Sequence, residues 1–139
     1  MAAHGRILAL DLGKKRIGMA VSDELGITAQ GLPTLERRNK RADFAALAVV
    51  IRENNIGQIV LGLPLRMSGE EGTQAEWVRT FADELQHQVG LPVNLRDERW
   101  TSKQAERVLV GSGVRHEDRK PAIDRLSAVI LLQDYLDSQ

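Results

Sequence analysis

The sequence predicts a single α/β domain with a mixed sheet of about five strands, in which an antiparallel meander precedes parallel strands reached through helices. Three short β-compatible segments separated by turn residues occupy the start of the chain, and helical and apolar segments then alternate. The chain has 139 residues, no cysteine and no repeat or linker-like stretch. One domain over residues 1–139 is therefore expected.

The meander comes first. Strands are expected at 6–11 and 16–22, on either side of a turn that contains Gly13 and three successive cations. A third strand is expected over 27–35, where Gly31 and Pro33 interrupt the apolar pattern. Short turns between these segments favour antiparallel pairing.

Six further elements follow. A helix is expected over 41–53, because Phe44, Leu47 and Ile51 repeat at the spacing of one helical face. The continuous apolar run 58–63 is typical of a strand covered on both faces. The remaining elements are a second amphipathic helix over 73–89, a short strand over 92–98, a short helix over 102–110 that a capping box at Thr101 starts, and a last helix from Pro121 to about Leu136.

The charge is balanced, with 19 Lys and Arg against 19 Asp and Glu, so composition alone gives little support for a nucleic-acid partner. The cations nevertheless cluster at 14–16, 37–41 and 115–125. Either one basic face or a mixed solvated surface fits this distribution. Residues 1–6 lack a signal peptide's apolar core, and no apolar run approaches the roughly 20 residues that cross a bilayer. A cytoplasmic protein without a membrane partner is expected.

Acidic residues interrupt or end three apolar segments. Asp11 lies at the end of the first strand, Asp97 and Glu98 end a later strand, and Asp124 lies in the first turn of the apolar last helix. Functional groups of open α/β sheets collect at the carboxyl ends of the strands. Converging carboxylates are commonly held by a divalent ion with oxygen ligands. The pattern predicts a Mg²⁺ or Mn²⁺ site for phosphodiester hydrolysis, with either Asp97 or Glu98 contributing.

Each acid also has a simpler interpretation. Asp11 has nearby cations as candidate ion-pair partners, the acids at 97–98 suit a turn cap, and Asp124 suits the positive end of a helix dipole. The P-loop pattern is absent, and the three histidines, His4, His87 and His116, are widely separated. Trp77 fits a core or interface position. Trp100 suits either stacking on a base or shielding of the sheet edge.

Four motifs, at 11–23, 62–65, 97–102 and 124–133, resemble the YqgF/RuvX family of bacterial proteins over essentially the whole chain. The resemblance implies an RNase H-like fold akin to RuvC-type Holliday junction resolvases. It implies a divalent-metal-dependent nuclease that matures the 5′ end of pre-16S rRNA, with junction resolution as the alternative. A non-catalytic RNA-binding factor in ribosome assembly is the alternative from another class.

The resemblance places the metal ligands on Asp11, Glu98 and Asp124, with Asp97 as a candidate helper. Together with the basic clusters, it predicts nucleic-acid contacts at Lys14, Lys15, Arg16, Arg66, Arg99, Arg119 and Lys120. Two residues depart from the family pattern, Arg66 in place of a frequent Asn and Ser127 in place of a usual Ala.

The expected oligomeric state is a monomer or a homodimer. A resolvase that makes two symmetric cuts should be dimeric. An ATP-binding relative of the actin and sugar-kinase group would need two such domains to enclose its nucleotide, and 139 residues supply one.

Overall fold

The structure is a computed structural model that describes residues 5–64, 68, 72–97, 105, 107–108, 110–113 and 115–139. Within the last range, the side chains of residues 116–121 and 124 are not described.

A five-stranded mixed sheet forms the centre of the molecule, in the spatial order β3-β2-β1-β4-β5. The meander is antiparallel, and β1 pairs in parallel with β4, which pairs in parallel with β5, as predicted. The strands are β1 Arg6–Leu12, β2 Arg16–Ser22, β3 Ala29–Glu36, β4 Ile56–Leu63 and β5 Val93–Asp97, and the helices are α1 Lys40–Glu53, α2 Thr73–Val89 and α3 His116–Asp137.

Strand β1 lies in the middle of the sheet and separates two apolar clusters. Leu8, Leu10 and Leu12 join the cluster formed with α1 and α2. Ala9 joins the second cluster, which α3 covers. Because successive side chains of a strand point to opposite faces, Asp11 shares its face with Ala9 and therefore lies on the α3 side.

The cluster under α1 and α2 contains the larger side chains. Phe44 of α1 and Phe81 of α2 pack with their ring centroids 5.0 Å apart, in a tilted arrangement. Leu47 and Leu85 are fully buried beside them. This packing brings the start of α1 and the start of α2 near the carboxyl ends of β1 and β4.

Helix α3 approaches the other face closely because the residues there are small. Ala9 and Ala20 are fully buried against Ala128, Leu131 and Leu132. The contact extends to β3, where a Cβ atom added to Gly31 would lie 2.9 Å from Cγ of Arg125.

Strand β3 contains Pro33 and is nevertheless a strand, as predicted. It lies at an edge of the sheet, and its register against β2 shifts by one residue between Ile17 and Met19. Proline, which cannot donate a backbone hydrogen bond, is tolerated at such edges and bulges.

The predicted start of the last helix is wrong. Helix α3 begins at His116, so Pro121 lies in its second turn instead of at its first position. Glu117, Arg119 and Lys120 have favourable helix propensities, so the helix extends to the N-terminal side of Pro121 although proline prefers a first turn. For the short helix expected at 102–110, the described residues Ala105, Arg107, Val108 and Val110 are helical, and Thr101 lies outside the described residues.

None of the helices in the described part of the chain is long and apolar enough to cross a membrane.

We expect Ser127→Ala to stabilise the protein. Ser127 of α3 is 1% exposed, and its Oγ has no hydrogen-bond partner within the described structure. A buried hydroxyl without a partner costs about 1 kcal/mol or more, so its removal should raise the free energy of unfolding in urea by about 1 kcal/mol.

Ser22→Ala is the matched control. Ser22 is equally buried, but its Oγ accepts a hydrogen bond of 2.9 Å from the backbone N–H of Ile7. The free energy of unfolding of Ser22→Ala should be lower than that of the wild type by about 1 kcal/mol, because this hydrogen bond is lost. An equal loss of unfolding free energy in the two variants would contradict the conclusion that the Ser127 hydroxyl has no hydrogen-bond partner.

Candidate active site

Asp11 is a buried carboxylate in the central strand of the sheet. It is 8% exposed, it lies one residue before the end of β1, and it is engaged in an interaction within the structure. The carboxyl ends of β1, β4 and β5 meet at one edge of the sheet, since these strands are parallel. Asp11 therefore occupies the edge where functional groups of open α/β sheets collect.

The strand neighbours of Asp11 have no side chains. Gly18 of β2 pairs directly with Asp11, and Leu10 pairs with Leu61, so that Gly62 follows beside Asp11 on β4. All three positions belong to the α3 face. The backbone around the carboxylate is thus uncovered by neighbouring strand side chains, which allows another backbone to approach closely.

The pairing of β5 determines the face of the sheet on which Asp97, the last residue of this strand, lies. Asp97 pairs with Leu63, and Leu95 pairs with Leu61, both on the face of α1 and α2. Arg96 lies on the opposite face, where it forms an ion pair of 3.0 Å with Asp134 of α3. Strand alternation therefore puts Asp97 on the face opposite to Asp11. Glu98 lies outside the described residues.

Position 124 is in the part of α3 that leads to the second cluster. It precedes the buried residues Ser127 and Ala128 by three and four positions, the spacing of one helical face. The side chain of Asp124 is not described. Among the described residues, no group of three His, Cys, Asp or Glu side chains could hold a metal ion.

The predicted nucleic-acid contacts are partly described. Lys14 and Lys15 are exposed in the turn between β1 and β2, and Arg16 has its Nε 3.8 Å from Oε1 of Glu36. Arg66 and Arg99 lie outside the described residues, and of Arg119 and Lys120 only the helical backbone is described.

A cleft of about 640 Å³ opens at the same edge of the sheet, on the side of α1 and α2. We call it the basic cleft. It brings together residues of the first two basic clusters of the sequence, and its described lining residues include four cationic side chains and one carboxylate. Its lining residues are Lys14, Arg37, Arg38, Asn39, Lys40, Asp43, Thr73, Gln74 and Trp77.

Arg37 connects this cleft to the turn that follows Asp11. Its Nη1 donates a hydrogen bond of 2.9 Å to the carbonyl oxygen of Gly13, and its backbone N–H donates one of 2.8 Å to that of Lys15. Its guanidinium carbon lies 4.6 Å from the ring centroid of Trp77. The turn and α2 are thus joined through one side chain.

Asp43 provides the counter-charge of Arg37. The Asp43 side chain is 3% exposed, and its Oδ2 lies 3.5 Å from Nε of Arg37 without a hydrogen bond of acceptable geometry. Its Oδ1 accepts a hydrogen bond of 3.0 Å from the backbone N–H of Arg38. The pair is buried, so each charge depends on the other for compensation.

This arrangement was not predicted from the sequence, where Arg37 stands in a basic run, Trp77 fits a core or interface position and Asp43 has no assigned role. One signal was present, since Asp43 directly precedes the buried Phe44 near the start of α1. The contacts among the three residues depend on tertiary packing and could not be read from spacing.

Comparison with known proteins identifies the fold and the family. The chain resembles the solved structure of Thermus thermophilus RuvC in complex with a Holliday junction substrate, with a TM-score of 0.58, 16% identity and coverage of 97% of this chain and 95% of that one. Fowlpox virus resolvase with Holliday junction DNA gives a TM-score of 0.57 at 14% identity, over 96% of this chain and 97% of that one. At these identities the likeness concerns the fold.

These structures show that the chain has a RuvC-like fold of the RNase H-like class. A family model described as "RuvX: Holliday junction resolvase" matches residues 5–138. A relative from Koribacter versatilis, named "Putative pre-16S rRNA nuclease", is 57% identical over 98% of this chain and 89% of its own length. The chain belongs to the RuvX family, as its motifs indicated.

We expect Arg37→Met to destabilise the protein by about 3 kcal/mol, because it leaves the Asp43 carboxylate buried without a counter-charge. Urea unfolding of Arg37→Met, Asp43→Asn and the double variant measures this contribution. The unfolding free energy that the double variant loses should be smaller than the sum of the losses in the two single variants, by a coupling energy of about 1 kcal/mol or more. Additive losses would show that the ion pair contributes nothing beyond packing.

Proposed function

We propose that this protein is a divalent-metal-dependent endonuclease that hydrolyses nucleic-acid phosphodiesters, with the 5′ end of pre-16S rRNA as its substrate. The observation that carries the proposal is the placement of Asp11, a buried carboxylate at the functional edge of the sheet between two glycines. The RuvC-like fold and the family membership support a nuclease. The RNA substrate follows the name of the Koribacter versatilis relative.

Asp11 fits a site for Mg²⁺ or Mn²⁺. Carboxylate oxygens are the ligands that these hard cations prefer, and the adjacent glycines place no side chain of a neighbouring strand over the carboxylate. When bound, such an ion supplies an activated water and stabilises the charge that develops on the phosphate.

The other ligands that we propose are Glu98 and Asp124. Because Asp97 belongs to the face opposite to Asp11, the acid that follows it in the sequence is the better candidate. Asp124 is assigned because its position on α3 shares the helical spacing of residues that pack on the Asp11 face. A ligand set drawn from β1, the end of β5 and α3 would join elements far apart in the sequence.

The chain's own cations bind and orient the substrate. Lys14 and Lys15 are exposed in the turn that directly follows β1, within a few residues of Asp11. Their charges attract the phosphate backbone without base specificity. We assign the same role to Arg16, Arg66, Arg99, Arg119 and Lys120.

Three substitutions of the acids test the assignment. Asp11→Asn and Glu98→Gln should each lower cleavage by at least about a hundredfold, because they remove charge without changing side-chain volume. Asp97→Asn should stay close to wild type, since its side chain lies on the other face. Cleavage of an RNA with the precursor 5′ leader, with Mg²⁺ or Mn²⁺ and with EDTA as the metal-free control, measures the effect.

Thermal unfolding of each variant shows whether the fold is retained. The ligand assignment is wrong if Asp11→Asn cleaves as fast as wild type. The face assignment is wrong if Asp97→Asn loses activity and Glu98→Gln does not.

Resolution of DNA junctions is the second candidate, and the description of the family model favours it. A side-by-side assay of precursor rRNA and a four-way DNA junction separates the two substrates. Sedimentation with and without the junction adds a structural criterion, because symmetric cleavage of both strands needs a dimer. RNA retention without products in every divalent metal would instead indicate the non-catalytic binding factor.

A further inference from the structure

We propose that the basic cleft binds a single-stranded segment of the nucleic-acid substrate, with one base against Trp77 and its phosphates on Lys14 and Arg38. The inference rests on the proposed nuclease function and adds to it a binding region on the other face of the sheet from Asp11. Of the residues that line this region, the sequence had predicted only Lys14 as a nucleic-acid contact.

The cleft has cations that are available to a ligand. Arg37 is engaged by Asp43 and Gly13, and Nζ of Lys40 lies 2.6 Å from Oε1 of Glu84. Lys14 and Arg38 are exposed, and neither side chain forms an ion pair within the described structure. Since Asp43, the one carboxylate among the described lining residues, is already compensated by Arg37, Lys14 and Arg38 give this part of the cleft a net attraction for anions.

The cleft also has an aromatic surface and a suitable size. Trp77 lines it and is half-buried, so that part of the indole remains accessible. The Arg37 guanidinium and the Phe81 ring, at centroid distances of 4.6 and 6.4 Å, hold the indole in place. A volume of about 640 Å³ lies in the range of sites for ligands the size of a nucleotide.

Cations beside an accessible aromatic ring are the combination that binds single strands. A base stacks on the ring while the adjacent phosphates contact the cations. In a duplex the bases are stacked on each other inside the helix, so a concave site with a tryptophan favours an unpaired nucleotide.

The position of the cleft relates it to the cleavage site. Lys14 belongs both to the cleft and to the turn that follows β1, and Arg37 binds Gly13 of the same turn. A strand whose scissile phosphate lies at Asp11 would cross this turn to reach the cleft a few nucleotides away. The cleft would then fix the distance between an unpaired nucleotide and the cut.

Binding without cleavage isolates the cleft. The probe is a short fluorescein-labelled oligouridylate, and its anisotropy is titrated with protein in EDTA over a range of salt concentrations. Arg38→Gln should weaken binding by about fivefold at low salt and reduce the slope of log K against log salt by about 0.7. Trp77→Leu should weaken binding by about tenfold with little change of slope.

Arg52→Gln is the matched control, because Arg52 is an exposed cation in the last turn of α1. It should leave affinity and slope near wild type. If Arg38→Gln and Arg52→Gln weaken binding equally, the attraction is general and the cleft proposal fails. Thermal unfolding shows whether a loss of affinity in Trp77→Leu is due to misfolding. Arg38→Gln tests the site independently, because Arg38 is exposed and its substitution should leave the fold intact.

Two further outcomes separate the proposals. If Asp11→Asn abolishes cleavage but Arg38→Gln binds like wild type, the nuclease proposal stands and the cleft proposal is overturned. If no substrate is cleaved yet binding depends on Arg38 and Trp77, the cleft proposal stands and the nuclease proposal is overturned. Uridine monophosphate that binds as tightly as the oligouridylate would assign the cleft to a free nucleotide and overturn the strand proposal.

Discussion

The alternation of side chains along β1 is the constraint on which the rest of the molecule depends. Leu8, Leu10 and Leu12 face large side chains of α1 and α2, whereas Ala9 faces α3. The same alternation fixes Asp11 on the α3 side at the carboxyl edge of the sheet. A shift of one residue in the pairing of β1 would move the carboxylate to the other cluster and its leucines away from it. The packing of both cores therefore determines the position of the proposed catalytic carboxylate.

A second interaction organises the opposite side of the same edge. Arg37 contacts the turn after Asp11, the buried carboxylate of Asp43 and the ring of Trp77. These contacts are made by residues from a strand connection, from α1 and from α2. Because the Asp43 carboxylate is buried, its compensation by Arg37 requires the strand connection and α1 to be in place together. The turn with Lys14 and Lys15 is thus supported from the α1 and α2 side, while Asp11 itself belongs to the α3 side.

The order and type of the strands and the long helices could be predicted, because apolar periodicity and turn residues are local signals. The face of the sheet on which Asp11 lies could not be predicted, because β1 is apolar on both sides and its apolar pattern has no period of two. The resemblance implied a metal ligand at Glu98 with Asp97 as a helper, but the face on which Asp97 lies depends on the register of β5 against β4, which pairs Asp97 with Leu63. The start of α3 was predicted wrongly from Pro121, because proline prefers the first turn of a helix whereas the residues before it also favour a helix. The basic cleft could not be predicted from residue spacing, because tertiary contacts bring its residues together.

The place of α3 in the chain has a consequence for how the molecule forms. Helix α3 follows all five strands in the sequence, yet it covers Ala9 and Ala20 of the first two. During synthesis the ribosome releases the meander well before α3, so this face of the sheet stays open to solvent until the last helix emerges. Contacts over such a separation close slowly. In a nascent chain Asp11 would therefore lie on an uncovered face, and the metal site that we propose could not form before α3 has packed on the sheet.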